Sequence, residues 1–279
     1  MLTGQVRTRG DCLLMMNRRR IGQLGLVFAS CMASCSALAA AASGPVVQTA
    51  PFRMAMFRPE TQFLGRWQRL IYREAFGRLG LSVEFRDLPG PRASVELEQG
   101  LVDGEGGRPA SYATAAPQAI RLAEPLFEVR YVAFGKRPSS FRVKGWASLR
   151  GYPGIVCFKS GVHTTTTHLG EVLPAKQLLA LPDTERGARM VAAGRCDLMA
   201  DEELTLLSTL SSQADLQGLP LVHAGVLDTI GVYGYLHPRH AALAVKLGET
   251  ISQMQKQGEI ERMRRMTEKE FDIDPGRWQ

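Results

Sequence analysis

Two stretches of this chain share one pattern, Gly100-Leu101-Val102-Asp103-Gly104-Glu105 and Gly194-Arg195-Cys196-Asp197-Leu198-Met199-Ala200-Asp201. In each stretch an aspartate stands three residues after a glycine. Each glycine follows a segment with helical spacing, and glycine ends helices well because it adopts positive φ without steric cost. Each aspartate opens a short run typical of a strand. The pattern therefore predicts that the chain builds a similar helix–strand unit twice.

The segments before the first copy alternate between strand and helix. Residues 52–56 and 81–85 alternate in polarity as strands do, and the apolar residues of 64–79 fall at helical spacing before Gly80. Residues 89–91, Pro-Gly-Pro, predict a turn, and residues 93–99 predict a short helix. Alternating strands and helices predict a mainly parallel sheet.

The segments around the second copy repeat this alternation. Residues 155–158 and 178–181 predict strands, and Asp183 or Thr184 is expected to cap the helix that ends at Gly194. The chain is long enough for two lobes with separate cores. We therefore expect an α/β fold with two lobes, each with a mainly parallel sheet and helices on both faces.

Two long apolar segments predict the connections between these lobes. Residues 127–134 alternate as a long strand, and residues 226–236 form a second long stretch broken by glycines. Residues 136–140 predict a linker, and an amphipathic helix follows Pro238. The expected boundaries are residues 45–134 for the first part of lobe one, 135–232 for lobe two, and 233–279 for the return to lobe one.

The first 39 residues have the features of a secretory signal peptide. A cluster of arginines at 18–20 precedes the mainly apolar residues 21–28, and residues 37–39 fit the small-x-small cleavage pattern. Met16 is then a plausible start of the chain. An uncleaved membrane anchor is one alternative, although the apolar part is weak for a span. A lipoprotein is the other, since two stretches loosely resemble a lipobox, those ending at Cys31 and Cys35.

Composition and charge favour an ordinary globular protein. Hydrophobic residues make up 45% of the chain and charged residues 22%, which excludes pure disorder and a multi-span membrane protein. Residues 1–39 hold five arginines and one aspartate, a net charge of +4, which leaves +3 of the total +7 for the remainder. The remainder has no basic run interleaved with aromatics, so we expect no nucleic-acid partner.

The cysteine and histidine spacing does not predict a metal site or a cofactor. Only Cys157 and Cys196 remain beyond the leader, and we expect buried free thiols, with a disulfide as the alternative. His163 and His168 are five residues apart and do not share a helix face. The sequence also contains no Gly-x-Ser-x-Gly nucleophile elbow.

Candidate ligand-binding residues follow the predicted strands. In open α/β sheets, ligands bind at the carboxyl ends of the strands, and a helix start attracts anions. Structural alternatives exist, because Glu105 and Arg108 could form a solvated ion pair in a flexible turn, and Thr164 and Asp201 could cap helices. The predicted ligand-binding residues are Glu60, Glu105, Arg108, Ser160, Gly161, Thr164 and Asp201.

Residues 48–270 resemble the extracellular solute-binding proteins of family 3, the type 2 periplasmic-binding-fold receptors of polar amino-acid ABC transporters. Each motif is weak alone, and their order and spacing together carry the resemblance. The motifs are Gly100-x-x-Asp103, Glu124-Pro125-Leu126, Trp146-x-x-Leu149-x-Gly151, Gly194-x-x-Asp197-x-x-x-Asp201 and Met254-x-x-x-Gly258-x-Ile260.

The resemblance implies a protein that closes like a Venus flytrap over a small ligand. By this resemblance Asp201 would bind a ligand amine, and Ser160, Gly161 and Thr164 would contact its carboxylate. The family usually has Thr-x-x-Arg about a dozen residues after the first aspartate, where this chain reads Ala113-Thr114-Ala115-Ala116. This departure argues against an ordinary α-amino acid as the ligand.

The sequence leaves three functions open. The first is a periplasmic solute-binding protein, a monomer without cofactor, that delivers an amino acid or a related organic acid or amine to an ABC permease. The second is a periplasmic enzyme similar to cyclohexadienyl dehydratases, with Glu105 or Asp201 as general acid. The third is a partner protein that serves a sensor or an oxidase system without binding a ligand.

Overall fold

The computed structural model describes residues 50–136 and 141–274. The predicted signal peptide, the lipobox-like stretches and most of the predicted linker lie outside these ranges. Within them, none of the helices combines the length and the apolar character needed to span a bilayer.

The predicted strands and helices occur in the predicted order, together with short elements that the sequence analysis did not predict. The strands are β1 Phe52–Met56, β2 Val83–Asp87, β3 Gly104–Pro109, β4 Ile120–Arg121, β5 Phe127–Lys136, β6 Val143–Lys144, β7 Val156–Lys159, β8 Leu178–Leu181, β9 Leu198–Glu202 and β10 Leu221–Leu236. The helices are α1 Phe63–Arg78, α2 Gly90–Glu98, α3 Tyr112–Ala115, α4 His163–Val172, α5 Thr184–Ala192, α6 Glu203–Ser212, α7 Ala214–Gln217, α8 Ala241–Lys256 and α9 Glu259–Glu270.

The strand order is β2-β1-β3-β10-β5-β9-β7-β8. In the first lobe β1 pairs in parallel with β2 and β3, and in the second lobe β7 pairs in parallel with β8 and β9. The long strands β5 and β10 are the two crossings, and they are antiparallel to each other. The predicted two-lobed α/β fold is confirmed.

The crossing strands add one feature that the expectation of a sheet in each lobe did not include. β5 and β10 pair from Phe127 and Val232 at one end to Lys136 and Leu221 at the other. The sheet is therefore continuous from one lobe to the next through the crossing strands. Each lobe contributes a set of parallel strands on one side of the crossing. Side chains of the two lobes nevertheless meet beside the crossing strands, since Arg58, which follows β1, forms an ion pair with Glu202 at the end of β9.

The glycines of the two repeated stretches end helices α2 and α5 in the same way. Gly100 and Gly194 both have φ of 69°, a left-handed conformation that glycine adopts without strain. The residue after each glycine donates its N–H back to the helix, Leu101 to Glu96 at 2.8 Å and Arg195 to Met190 at 2.9 Å. These are the bonds of a Schellman motif, so the predicted repeat is present in the backbone.

The aspartates of the two repeats anchor the start of a neighbouring strand. Asp103 donates its N–H to the carbonyl of Arg53 at 2.8 Å, and its carboxylate accepts the N–H of Arg53 at 2.9 Å. Asp197 makes the same two bonds with Ile155, at 2.8 and 2.6 Å. Both aspartates therefore lie at the amino ends of β3 and β9, at the opposite end of these strands from the residues expected to bind a ligand.

The core of the first lobe joins α1 to the sheet and to the hinge. Phe52 on β1 packs against Phe76 on α1 with ring centroids 4.8 Å apart. Trp67 stacks on Phe127, the first residue of the crossing strand β5, at 4.1 Å. Burying aromatic rings of this size contributes about 2 kcal/mol each, so α1 fixes the position of the crossing strand as well as that of β1.

Candidate functional site

A cleft with a volume of about 450 Å³ lies at the carboxyl ends of the strands of both lobes. The first lobe contributes the ends of β1 and β3 and the start of α2, the second lobe the segments β7–α4 and β9–α6, and the crossing strands form the floor. Its charged and polar side chains include Arg58, Arg108, Tyr131, Lys159, Thr164 and Glu202. This is the place where the sequence predicted a ligand.

The wall in the first lobe is built around Arg108. Its Nε and Nη2 donate to the two carboxylate oxygens of Glu105, both at 3.0 Å, and Nη2 also donates to the carbonyl of Gly90 at 2.6 Å. The guanidinium lies between two rings, Phe57 at 5.3 Å and Tyr112 at 4.9 Å from the ring centroids. Glu105 is buried behind Arg108 and does not line the cleft. The pair is therefore largely buried and held by several hydrogen bonds, and it is not a solvated ion pair.

The glycines around Glu105 serve mainly the packing of β3. A side chain at Gly106 would meet the sulfur of Met56 at 2.1 Å, and one at Gly104 would meet the carbonyl oxygen of Tyr235 at 3.0 Å. Only Gly107 of this run lines the cleft. Gly104 and Gly106 therefore make room for neighbouring strands and side chains.

A buried arginine fixes the loop that follows β1. Arg69 of α1 donates to the carbonyl of Arg58 at 2.8 Å and to that of Gly65 at 3.0 Å, and it forms an ion pair with Asp87. Its side chain is 2% exposed. The position of Arg58 in the cleft is therefore set by an arginine that does not itself line the cleft.

Glu60, which was predicted to bind ligand, faces helix α1. Its carboxylate pairs with Arg66 at 2.6 Å, Arg73 at 3.0 Å and Arg69 at 3.9 Å. The hydrogen bond from Arg73 and that from Arg66 outweigh the effect of partial burial and lower the pKa of Glu60. The structure does not bring Glu60 together with Arg108, because the loop after β1 turns its side chain away from the cleft.

The wall in the second lobe is the turn from β7 into α4. Lys159, Gly161 and Thr164 line the cleft, and Gly161 turns the chain with φ of 81°. Ser160 is not among the lining residues, and its N–H donates to the carbonyl of Leu181 at 2.7 Å. The N-cap position of α4 is Val162, and no side chain caps this helix. Thr164 therefore does not act as an N-cap, and the N–H groups of the first turn of α4 remain available to an anion.

Asp201 lies on the face of β9 that turns away from the cleft. Its carboxylate accepts the hydroxyl of Thr184 at 2.6 Å and the N–H of Glu202 at 2.8 Å. Burial raises its pKa to about 6, although the hydrogen bond from Thr184 acts in the opposite direction. Asp201 is thus brought together neither with Arg108 nor with Thr164, and it does not cap α6.

Glu202, the next residue, lines the cleft in its place. Its carboxylate accepts hydrogen bonds from Arg58 at 2.5 Å, from Thr205 at 3.0 Å and from the hydroxyl of Tyr131 at 3.2 Å. Burial opposes ionisation of Glu202, but the charge and hydrogen bonds of these partners outweigh it and lower its pKa. Burial also raises the pKa of Tyr131. The ion pair of Arg58 and Glu202 connects the first lobe to the second across the cleft.

Arg58 and Glu202 were not predicted from the sequence, for two reasons. All five residues of β9 are buried, so no alternation of polarity showed whether Asp201 or Glu202 faces the cleft. Arg58 and Glu202 are 144 positions apart in the sequence, and no local pattern indicates their pairing. The run of three acids at 201–203 was the available signal, since it places a carboxylate on each face of the strand.

In the described part of the chain the cysteines form neither a disulfide nor part of a metal site. Cys157 and Cys196 are both free and buried. Burial raises the pKa of both thiols, which disfavours the reactive thiolate. No group of three histidine, cysteine, aspartate or glutamate side chains among residues 50–136 and 141–274 is arranged to hold a metal ion.

No family model matches the sequence. A protein of Shewanella oneidensis (strain MR-1), described as an uncharacterized protein, is 30% identical to this chain over 251 residues. The match covers 89% of this chain and 94% of that protein. The two chains are therefore related over nearly their full lengths.

Several solved structures share the fold. A histidine kinase sensor domain similar to periplasmic binding proteins aligns with a TM-score of 0.61 and 21% identity, over 77% of this chain and 95% of that chain. The amino acid ABC transporter substrate-binding protein AbpA of Streptococcus pneumoniae, bound to L-arginine, aligns with a TM-score of 0.61 and 13% identity, over 80% and 96%. An ancestral arginine-binding protein bound to arginine aligns with a TM-score of 0.58 and 16% identity, over 77% and 97%. At these identities the likeness shows the two-lobed periplasmic-binding-protein fold and leaves membership of family 3 as a prediction.

Proposed function

The chain belongs to the same family as the Shewanella oneidensis protein, and we propose that it is an exported solute-binding protein. Its cleft captures a small polar ligand, an amino acid or a related organic acid or amine, by closing about the crossing strands β5 and β10. The observation that carries the proposal is the polar cleft of about 450 Å³ at the carboxyl ends of the strands, with Arg108 on one wall and Lys159 on the other. Such a volume fits a small solute.

The second-lobe wall suits an acidic group of the ligand. The first-turn N–H groups of α4, the hydroxyl of Thr164 and the ammonium of Lys159 are all donors on one wall. Backbone N–H groups at a helix start and a nearby cation favour a carboxylate. Gly161 and Thr164 remain ligand-binding residues in this proposal, as does Arg108, whereas Ser160 contributes through the shape of the turn.

Export and delivery complete the proposal. Residues 1–39 act as the signal peptide, the mature chain works as a monomer in the periplasm, and it hands its ligand to an ABC-type permease. Hinge closure suits this role, because it gives the loaded receptor a shape that the empty receptor does not have.

An enzyme on this fold has less support from the site. Glu105 holds Arg108 with both carboxylate oxygens, and Asp201 is directed away from the cleft towards Thr184. A general acid must reach the group to which it gives its proton, and neither carboxyl is placed to do so. We therefore propose a binding protein and not a dehydratase.

A ligand-independent partner or sensor protein is the second candidate. The ion pair between Arg58 and Glu202 joins the two walls of the cleft without any ligand. A protein that is held closed in this way could present one fixed surface to a partner. The two candidates differ in one measurable respect, namely whether a small solute stabilises the fold.

A thermal-shift screen of amino acids, organic acids and polyamines tests the proposed function. A ligand at about one hundred times its Kd stabilises the folded state by about 2.7 kcal/mol, which raises the Tm by about 5–10 °C in a chain of this size. Arg108→Gln should remove this shift, and the matched control Arg73→Gln, on the outer face of α1, should keep it. If no solute raises the Tm, the partner-protein candidate takes the place of the receptor.

A further inference from the structure

In the part of the chain that the structure describes, two of the three cationic side chains that line the cleft are paired with a carboxylate, and the third is not. Arg58, Arg108 and Lys159 line it together with Glu202. Arg58 is paired with Glu202 and Arg108 with the buried Glu105. In the described residues no carboxylate lies within ion-pair distance of Lys159. The charge that remains for a ligand to neutralise is therefore positive.

Glu202 has little capacity left for a ligand cation, because its charge is already paired with Arg58 and three of its roughly four acceptor positions are in use. One carboxylate oxygen accepts from Arg58 at 2.5 Å and from the hydroxyl of Tyr131 at 3.2 Å, and the other accepts from Thr205 at 3.0 Å. Its side chain is 9% exposed. An ammonium brought into this cleft would meet the guanidinium of Arg58 beside Glu202, and it would lose its water without gaining a free carboxylate.

Arg58 is held in this position by its surroundings. Its guanidinium lies 4.2 Å from the centroid of the Phe57 ring, and its own carbonyl accepts a hydrogen bond from the buried Arg69. Its side chain is 10% exposed. A guanidinium fixed by stacking and by a bound backbone loses little freedom when it pairs with a carboxylate, so the ion pair is preorganised before a ligand arrives.

We propose that Arg58 is a built-in counter-ion of Glu202 and that the cleft in consequence selects a small carboxylic acid without an ammonium group. The proposal rests on the proposed function and names the class of ligand within it. Arg58 occupies the place at Glu202 that the ammonium of an amino acid or a polyamine would need. The carboxylate of the ligand meets Lys159 and the start of α4.

A matched series of five-carbon probes tests this selectivity by isothermal titration. Glutarate carries a carboxylate at each end, 5-aminovalerate one carboxylate and one ammonium, and cadaverine two ammonium groups. The purified mature chain should bind glutarate at least about tenfold more tightly than 5-aminovalerate, because one charge-assisted hydrogen bond is at stake. Cadaverine should bind most weakly. Shorter and longer series with the same end groups are run in parallel, so that chain length does not decide the result.

Variants separate the role of Arg58 from a general effect of charge. Arg58→Gln frees Glu202, so the preference for the dicarboxylate over the amino acid of equal length should fall by about tenfold. Arg58→Lys keeps a cation beside Glu202 and should retain the preference. Arg73→Gln removes the same charge from the outer face of α1 and should also retain it. If Arg58→Gln does not fold, the wild-type series and Arg58→Lys decide the question.

The outcomes distinguish this inference from the proposed function. Tighter binding of 5-aminovalerate or cadaverine than of glutarate by the wild-type chain overturns the selectivity and leaves a receptor of another ligand class. An unchanged preference in a folded Arg58→Gln variant also overturns it. The absence of binding by every series overturns the proposed function and the inference together.

Discussion

The Gly-x-x-Asp turns of the two lobes have the same backbone geometry and different electrostatic surroundings. In the first lobe, the carboxylate of Asp103 accepts hydrogen bonds from Arg53 and Arg239 and contacts His240. In the second lobe, Asp197 is exposed and its carboxylate accepts the backbone N–H of Ile155. The backbone bonds define the repeat, and the charges around it are free to differ between the copies.

The buried acids of the second lobe, Asp201 and Glu202, lie instead at the other end of the strand. Burial opposes ionisation of Asp103, but hydrogen bonds from Arg53, His240 and Arg239 outweigh it and lower its pKa. Asp201 at the carboxyl end of β9 has a pKa raised to about 6 by burial. The carboxylate at the start of β3 is therefore stabilised in its ionised form, whereas the end of β9 holds Asp201, whose pKa is raised, beside Glu202, whose pKa is lowered.

The largest effect is expected at Asp201, where Asp201→Asn should stabilise the protein at neutral pH. The folded pKa of about 6 lies above the unfolded value of about 3.9. Ionisation of Asp201 therefore lowers the free energy of unfolding by about 2–3 kcal/mol in total as the pH rises from about 4 to about 6. Urea unfolding should give equal stabilities for the wild type and the variant near pH 4 and a gap of this size at pH 8. A gap that does not grow with pH would show that Asp201 is not destabilising.

Asp103→Asn should act in the opposite direction, with a loss of about 2 kcal/mol at pH 7. Its folded pKa is lowered, so the stability that it contributes is present above the unfolded pKa of about 3.9 and is lost as the pH falls below it. The difference between wild type and variant should shrink on acidification below about pH 4. Urea unfolding between pH 3 and pH 7 checks this, and a pH-independent difference would contradict it.

Alanine substitutions of the two turn glycines should differ in their effect on stability by less than the two aspartate variants do. Alanine in the left-handed conformation costs about 1 kcal/mol, and this cost should apply to both Gly100→Ala and Gly194→Ala. A side chain at Gly100 would also meet Arg239 at 2.9 Å, whereas at Gly194 nothing lies within 4 Å. Gly100→Ala should therefore be the more destabilising by about 1 kcal/mol, since it disturbs the contact of Arg239 with Asp103. Equal losses in thermal unfolding would contradict the assigned role of Arg239.

Asp197→Asn should have the smallest effect, within about 0.5 kcal/mol at any pH between 5 and 8. The amide oxygen of asparagine can accept the N–H of Ile155 as the carboxylate does, and no side-chain cation among the described residues donates to Asp197. This variant is the matched control for Asp103→Asn. A loss equal to that of Asp103→Asn would show that the cations around Asp103 do not account for its effect.

The fold was predictable because its decisive signals are local. Positive φ at Gly100 and Gly194 and the apolar spacing of α1 and α8 belong to short stretches of sequence, and the structure contains each of them. One local signal was misread, because Pro89-Gly90-Pro91 predicted a turn and instead begins α2. Proline is favoured in the first turn of a helix, where its missing N–H has no partner to lose, so the same residues suit both structures.

For the candidate site, the sequence predicted the position of the cleft and only some of the side chains that line it. The carboxyl ends of β3, β7 and β9 do meet at the cleft, as Arg108, Gly161 and Thr164 indicated. Whether Asp201 or Glu202 points into the cleft depends on the orientation of β9. Because β9 is buried on both faces, its sequence has no alternation of polarity that would show this orientation. The pairing of Arg58 with Glu202 is a contact between lobes, which only the tertiary structure supplies.

We propose that the carboxyl ends of the strands bind the ligand and that the amino ends only stabilise the fold. The most direct measurement is the Kd, by isothermal titration, of the carboxylate probe that raises the Tm most, in wild type, Lys159→Gln and Asp103→Asn. We expect Lys159→Gln to raise the Kd by about tenfold and Asp103→Asn to leave it within about twofold, although the second variant is the less stable protein. If Lys159→Gln leaves the Kd unchanged, or if Asp103→Asn raises it as much, the carboxyl ends of the strands are not the binding site.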